Sequence, residues 1–89
     1  MKLLYKKSFT KSYQTLTPRQ RQKIQDVFEI FIMNPFDQRL NNHQLYGKLS
    51  KLRSINAWWD LRILFQELSK WKYEIVEIID VWSHNQLYW

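Results

Sequence analysis

Tyr73-Glu74-Ile75-Val76-Glu77-Ile78-Ile79-Asp80-Val81 is the stretch that decides the fold. Five of these nine residues are β-branched, which suits a central or well-covered strand. Immediately upstream, Ser69-Lys70-Trp71-Lys72 is of hairpin length. Before that, Asp60 to Leu68 alternates: Leu61, Ile63 and Phe65 on one side, Arg62, Leu64 and Gln66 on the other. A third run, Leu49 to Asn56, sets Leu49, Lys51, Arg53 and Ile55 against Ser50, Leu52, Ser54 and Asn56, a mixed pattern. Residues 36–47 are polar and asparagine-rich and read as a loop.

The first part of the chain has the other periodicity. Leu3 to Lys7 reads as a short strand. Ser8 is placed to cap a helix in which Phe9, Tyr13 and Leu16 recur at i, i+4 and i+7. Thr17-Pro18-Arg19-Gln20 then starts a second helix, with Thr17 at the N-cap, Pro18 in the first turn and Gln20 completing a capping box. Ile24, Val27, Phe28 and Phe31 form its buried stripe. Asn34-Pro35 stops it, because proline pushes the preceding residue out of the helical region. The fold class that follows is α+β: a helical hairpin packed on one face of a mainly antiparallel sheet, in the order β-α-α-β-β-β. The other face is left partly open, and Arg62 can reach it.

Composition narrows the rest. Eighty-nine residues read as a single domain, 1–89, and 45% hydrophobic content is enough for one small core. The absence of cysteine excludes a disulfide scaffold and a thiolate metal site. No apolar run resembles a signal peptide or a membrane span, so a soluble, cytoplasmic protein without a membrane partner is expected. Net charge is +6. The excess lies in residues 1–47, with eight Lys/Arg against three Asp/Glu, compared with six against five afterwards. Such a surface favours a polyanion or an acidic protein partner, or is a solvated face. Of the five tryptophans, Trp58, Trp59, Trp82 and Trp89 lie near expected strand ends, where they can pack, stack on bases or meet a partner.

The candidates for chemistry are His43 on the loop, Arg53, Asp60 and Arg62 on the late strands, and His84 in Ser83-His84-Asn85-Gln86-Leu87-Tyr88. In an antiparallel meander, Asp60, Arg62 and His84 share one end of the sheet. An imidazole, a carboxylate and a guanidinium suit RNA cleavage without a metal. The 2′-OH must lose a proton, the phosphate gains charge, and the leaving 5′-oxygen must gain a proton. Each residue has another reading: His84 capping a strand, Asp60 in a turn, Arg62 paired with Glu74 or Glu77, and His43 as an ordinary loop residue. The histidines and acids show no metal-ligand spacing, and there is no Gly-rich phosphate loop; neither a metal nor a small-molecule cofactor is expected.

A further pattern runs through Ser8-Phe9-x-Lys11-Ser12-Tyr13, Asn34-Pro35-Phe36, His43-Gln44-Leu45-x-Gly47-Lys48-Leu49, Leu52-Arg53-Ser54-Ile55-Asn56, Asp60-x-Arg62 and Ser83-His84-x-x-Leu87-Tyr88. In that order these segments resemble the RelE/ParE superfamily of bacterial toxins, in particular the YafQ-like mRNA interferases of type II toxin–antitoxin systems. The resemblance implies a RelE-like fold and a ribosome-dependent endoribonuclease that cleaves mRNA. A cognate acidic antitoxin would silence it. By position, His84, His43 and Asp60 match acid–base residues, Arg62 the arginine on the scissile phosphate, and Tyr88 an aromatic that seats the nucleotide. Arg53, Lys48 and Lys51 are expected to bind RNA. The chain departs from the pattern at Trp82, where relatives usually carry a small residue, and at Trp58-Trp59, where they have a small turn. Indoles there either stack bases or fill the cleft, so the alternative is a ParE-like or inactive member acting through protein–protein binding.

Overall fold

A computed structural model describes residues 1–83. The elements are β1 (Lys2–Tyr5), α1 (Lys7–Gln14), α2 (Pro18–Met33), β2 (His43–Gln44), β3 (Arg53–Trp58), β4 (Leu61–Glu67) and β5 (Ile75–Ser83), with single 3-10 turns at Gln38–Leu40 and Gly47–Leu49. One five-stranded sheet runs β1-β5-β4-β3-β2. β1 pairs parallel with β5, and every other pairing is antiparallel. The α+β architecture read from the sequence is present, with β5 between two neighbours as its β-branched composition requires.

The second helix forms as its end signals dictate. Thr17 Oγ1 accepts from the Gln20 N–H at 3.1 Å, and Gln20 Oε1 accepts from the Thr17 N–H at 2.9 Å. Ile24, Val27, Phe28 and Phe31 are all buried. They pack against the sheet face carrying Ile55, Ile63 and Phe65, with Phe31 and Phe65 edge-to-face at 5.0 Å between centroids. α1 lies over β5 and α2 over β3. The helices are tied together by Arg21 Nη2 donating to the Gln14 carbonyl and by Phe9 against Phe28.

Four expectations need correcting. Ser8 does not cap α1: Lys6 holds the N-cap position without a side-chain bond. The Ser8 hydroxyl instead donates to the Ile79 carbonyl. Ile79 is the extra residue where the β4–β5 register slips, Leu64 facing Asp80 and Phe65 facing Ile78. The stretch 36–47 is not wholly loop, since His43–Gln44 adds an edge strand to β3. β3 starts at Arg53 rather than Leu49, because Gly47 (φ +66°) opens a 3-10 turn that uses up Leu49. The β4–β5 connection runs from Leu68 to Glu74, longer than Ser69–Lys72. Within it, Lys70, Trp71 and Tyr73 have positive φ and the Glu67 carboxylate gathers the loop's N–H groups. Among the described residues no helix is long and apolar enough to cross a membrane.

Candidate active site

Cross-strand partners in an antiparallel sheet point to the same face. β4 therefore sorts the candidates. Ile63 pairs with Ile55 and Val81 and faces the helices. Arg62, one residue earlier, faces away, between Asn56 on β3 and Trp82 on β5. The next row along holds Ser54, Leu64 and Asp80, and Ser54 pairs in turn with His43. So His43 and Arg62 share the face that the helices leave open, two strands and one row apart. That spacing sets their Cα atoms about 12 Å from each other.

The Arg62 side chain is held by the turn before it. Its Nη1 donates to the carbonyls of Trp59 and Leu61, both at 3.0 Å. The Nη2 and Nε hydrogens have no hydrogen-bond partner among the described residues. A guanidinium anchored at one nitrogen and open at two is suited to fork onto phosphate oxygens. Pairing with Glu77, one of the other readings, is ruled out by register. Glu77 lies opposite Gln66, four residues along β4 and about 13 Å away.

His43 is exposed, and its Nδ1 lies 2.7 Å from the Asn41 carbonyl. A carbonyl only accepts, so Nδ1 carries a hydrogen, and in the neutral ring the lone pair is on Nε2. Asn41 can present that carbonyl because it adopts φ +47°, a conformation asparagine tolerates. Asp60 is exposed in the two-residue Trp59-Asp60 turn at the same end of the sheet as Arg62. Ser83, the residue before His84, pairs with Leu61 beside that turn. His84 and Tyr88 lie outside the described residues.

Asn56 gains weight from the structure. Directly across from Arg62, its Oδ1 is buried and has no hydrogen-bond partner among the described residues. Nor has the buried Ser54 Oγ two residues earlier. The sequence signal was parity: Ser54, Asn56 and Arg62 occupy the polar phase of their strands. Asp80 is on the same face, its Oδ1 accepting from the Val81 N–H at 2.8 Å.

The other expected RNA-binding residues do not join this group. Arg53 pairs with Phe65 and therefore projects to the helix side, where Nε donates to Asn42 Oδ1 at 2.7 Å and the guanidinium lies 5.9 Å from the Phe36 ring centre. Arg53 and Lys51, with Gln66, Glu67 and Trp71, line a cleft of about 280 Å³ at the far end of β4 from Arg62. Lys48 is exposed in the preceding 3-10 turn. Among the described residues no cluster of three or more His, Asp or Glu could hold a metal ion.

No protein-family model matches the chain, and no curated protein matches it in sequence. Solved structures do match its backbone. YafQ from E. coli strain BL21(DE3) superposes with a TM-score of 0.78 at 14% identity, over 99% of this chain and 98% of that one. The YoeB/ParE toxin from Agrobacterium tumefaciens gives 0.74 at 22% identity, over 94% and 99%. The E. coli DinJ-YafQ toxin-antitoxin complex gives 0.75 at 14% identity, over 99% and 97%. Sheet order, helix placement and near-full coverage together show that this chain has the RelE-like fold of these solved structures.

Proposed function

We propose that the protein is the toxin of a type II toxin–antitoxin system and cleaves mRNA on the ribosome. The observation that carries this reading is Arg62, fixed by its own turn on the face away from the helices, with Nη2 and Nε free of hydrogen bonds among the described residues and with His43 on the same face. Cleavage proceeds by attack of the ribose 2′-oxygen on the adjacent phosphorus. The 2′-OH proton passes to a base, the P–O5′ bond breaks, and an acid protonates the departing 5′-oxygen. The products are a 2′,3′-cyclic phosphate and a 5′-OH end. His43, Asp60 and His84 are the proton-transfer groups, and His43 has the lone pair suited to the base. Arg62 stabilises the charge that grows on the phosphate oxygens.

The partner that silences the toxin is acidic and folds over the basic surface as it binds. The exposed Lys6 and Lys7 at the start of α1, and Lys11 in its last turn, suit it. The fold's occurrence in a complex described as toxin–antitoxin supports this.

Induced expression in bacteria tests the reading. Arg62→Ala and His84→Ala should each relieve growth arrest, with cleavage falling about 100-fold or more. Mapping of transcript 5′ ends should show discrete in-frame cuts with the unaltered protein and none with either variant. Arrest that persists in both variants, without cuts, would point instead to a toxin that binds and poisons a protein target.

A further inference from the structure

Trp59 occupies the tip of the β3–β4 hairpin, 81% exposed, with φ +48°. Neither property suits an ordinary turn. A two-residue hairpin loop needing positive φ favours glycine, asparagine or aspartate, because a bulky L side chain is strained there. An indole retained in such a place, with most of its surface in water, points to a use outside the fold. Its surroundings say which. Its carbonyl is one of the two that anchor Arg62 Nη1. Its ring meets Trp58 at 6.4 Å and 70°, edge to face. Behind Trp58, on α2, the Arg19 guanidinium lies 5.3 Å and the Lys23 ammonium 5.7 Å from that ring's centre. From the open sheet face across the tip to α2, the order is cation, exposed aromatic, aromatic, two cations.

We infer that this hairpin tip is a stacking platform for single-stranded RNA. Trp59 takes the base next to the phosphate held by Arg62, and Arg19 and Lys23 take phosphates further along the strand. The inference rests on the reading of Arg62 given above and extends it to a subsite. Stacking fits because every base has a flat π face and an exposed indole accepts it without sequence demands. The two α2 cations fit because a strand leaving the tip carries a negative charge at each nucleotide. An acidic peptide would meet the cations but would not require a solvent-facing indole in a strained turn.

The test is binding of a fluorescent eight-nucleotide 2′-O-methyl RNA, which cannot be cleaved, followed by anisotropy at several salt concentrations. Trp59→Ala should weaken binding about 5- to 100-fold, while Trp59→Phe should keep most of it. Trp59→Gly should also lose affinity yet melt close to the unaltered protein, because glycine relieves the turn. Arg19→Gln with Lys23→Gln should lower the slope of log affinity against log salt by about 1.4, the value for two single-strand phosphate contacts. Unchanged affinity in Trp59→Ala, or an unaltered protein that does not bind the RNA, overturns the inference. Growth arrest measured on the same variants separates the two readings. If Arg62→Ala relieves arrest while Trp59→Ala binds RNA normally, only the platform is wrong.

Discussion

At the scale of single residues, Glu67 organises the β4–β5 connection. Its carboxylate accepts from the Ser69 hydroxyl and from the N–H groups of Ser69 and Trp71. Burial alone would push this carboxyl up. The hydrogen bonds from Ser69, Trp71 and Tyr73 outweigh it and hold the group below its ordinary value of 4.5. A depressed carboxyl stabilises the folded state fully above 4.5 and loses that contribution as pH falls through the lowered pKa. The left-handed turns at Lys70, Trp71 and Tyr73 should therefore loosen in acid. Amide spectra of residues 68–74 should hold steady from neutral pH down to the carboxylate range and then shift together. Glu67→Gln should show the loosened spectrum at every pH and lower stability by about 1–2 kcal/mol. None of this was legible in the sequence, where Glu67 is simply the last polar residue of an alternating run. The faces of Arg53 and Arg62 were legible: Arg53 falls in phase with Ile55, and Arg62 out of phase with Ile63. What alternation could not show is that one long side chain is tied to Asn42 and the other to its own turn.

At the scale of elements, legibility followed the strength of the local signal. The second helix was readable at both ends because a capping box and an Asn-Pro stop are short-range chemistry. Thr17→Ala should cost about 1 kcal/mol, a drop of about 4–8 °C in melting temperature for a domain of this size. Thermal unfolding followed by far-UV circular dichroism checks it, with Thr17→Ser as the variant that keeps the cap. The strands β4 and β5 were readable from alternation and β-branching. β2 was not, because two exposed polar residues carry no period; only pairing with β3 makes His43–Gln44 a strand. The bulge at Ile79 was equally hidden, since it depends on the register of β4 against β5 and on the Ser8 hydroxyl that donates to the Ile79 carbonyl. The candidate site shows the same division. Arg62 and Asp60 came from local pattern, whereas the neighbouring Asn56 and the shared face with His43 came from pairing across three strands.

At the scale of the whole molecule, the chain is closed by its first strand. β1 covers the outer edge of β5, Leu3 packs on the core, and Tyr5 meets Phe9 and Phe28 at 5.6 and 6.1 Å. Removing residues 1–5 would uncover the backbone of β5 and strip the aromatic lid from α1 and α2. The shortened chain should lose its single cooperative melt and bind a hydrophobic dye. A melt as sharp as that of the intact chain would show that β1 is only an accessory.

The parallel pairing of β1 with β5 also sets an order of events during synthesis. The Ser8–Ile79 bond spans 71 positions, and Arg62 gains its Trp82 neighbour only when β5 is in place. A nascent chain that has not yet delivered β5 thus lacks the strand that joins β1 to β4 and the third wall around the guanidinium. The sheet and the surroundings of Arg62 are therefore completed only when almost all of the described chain has been translated.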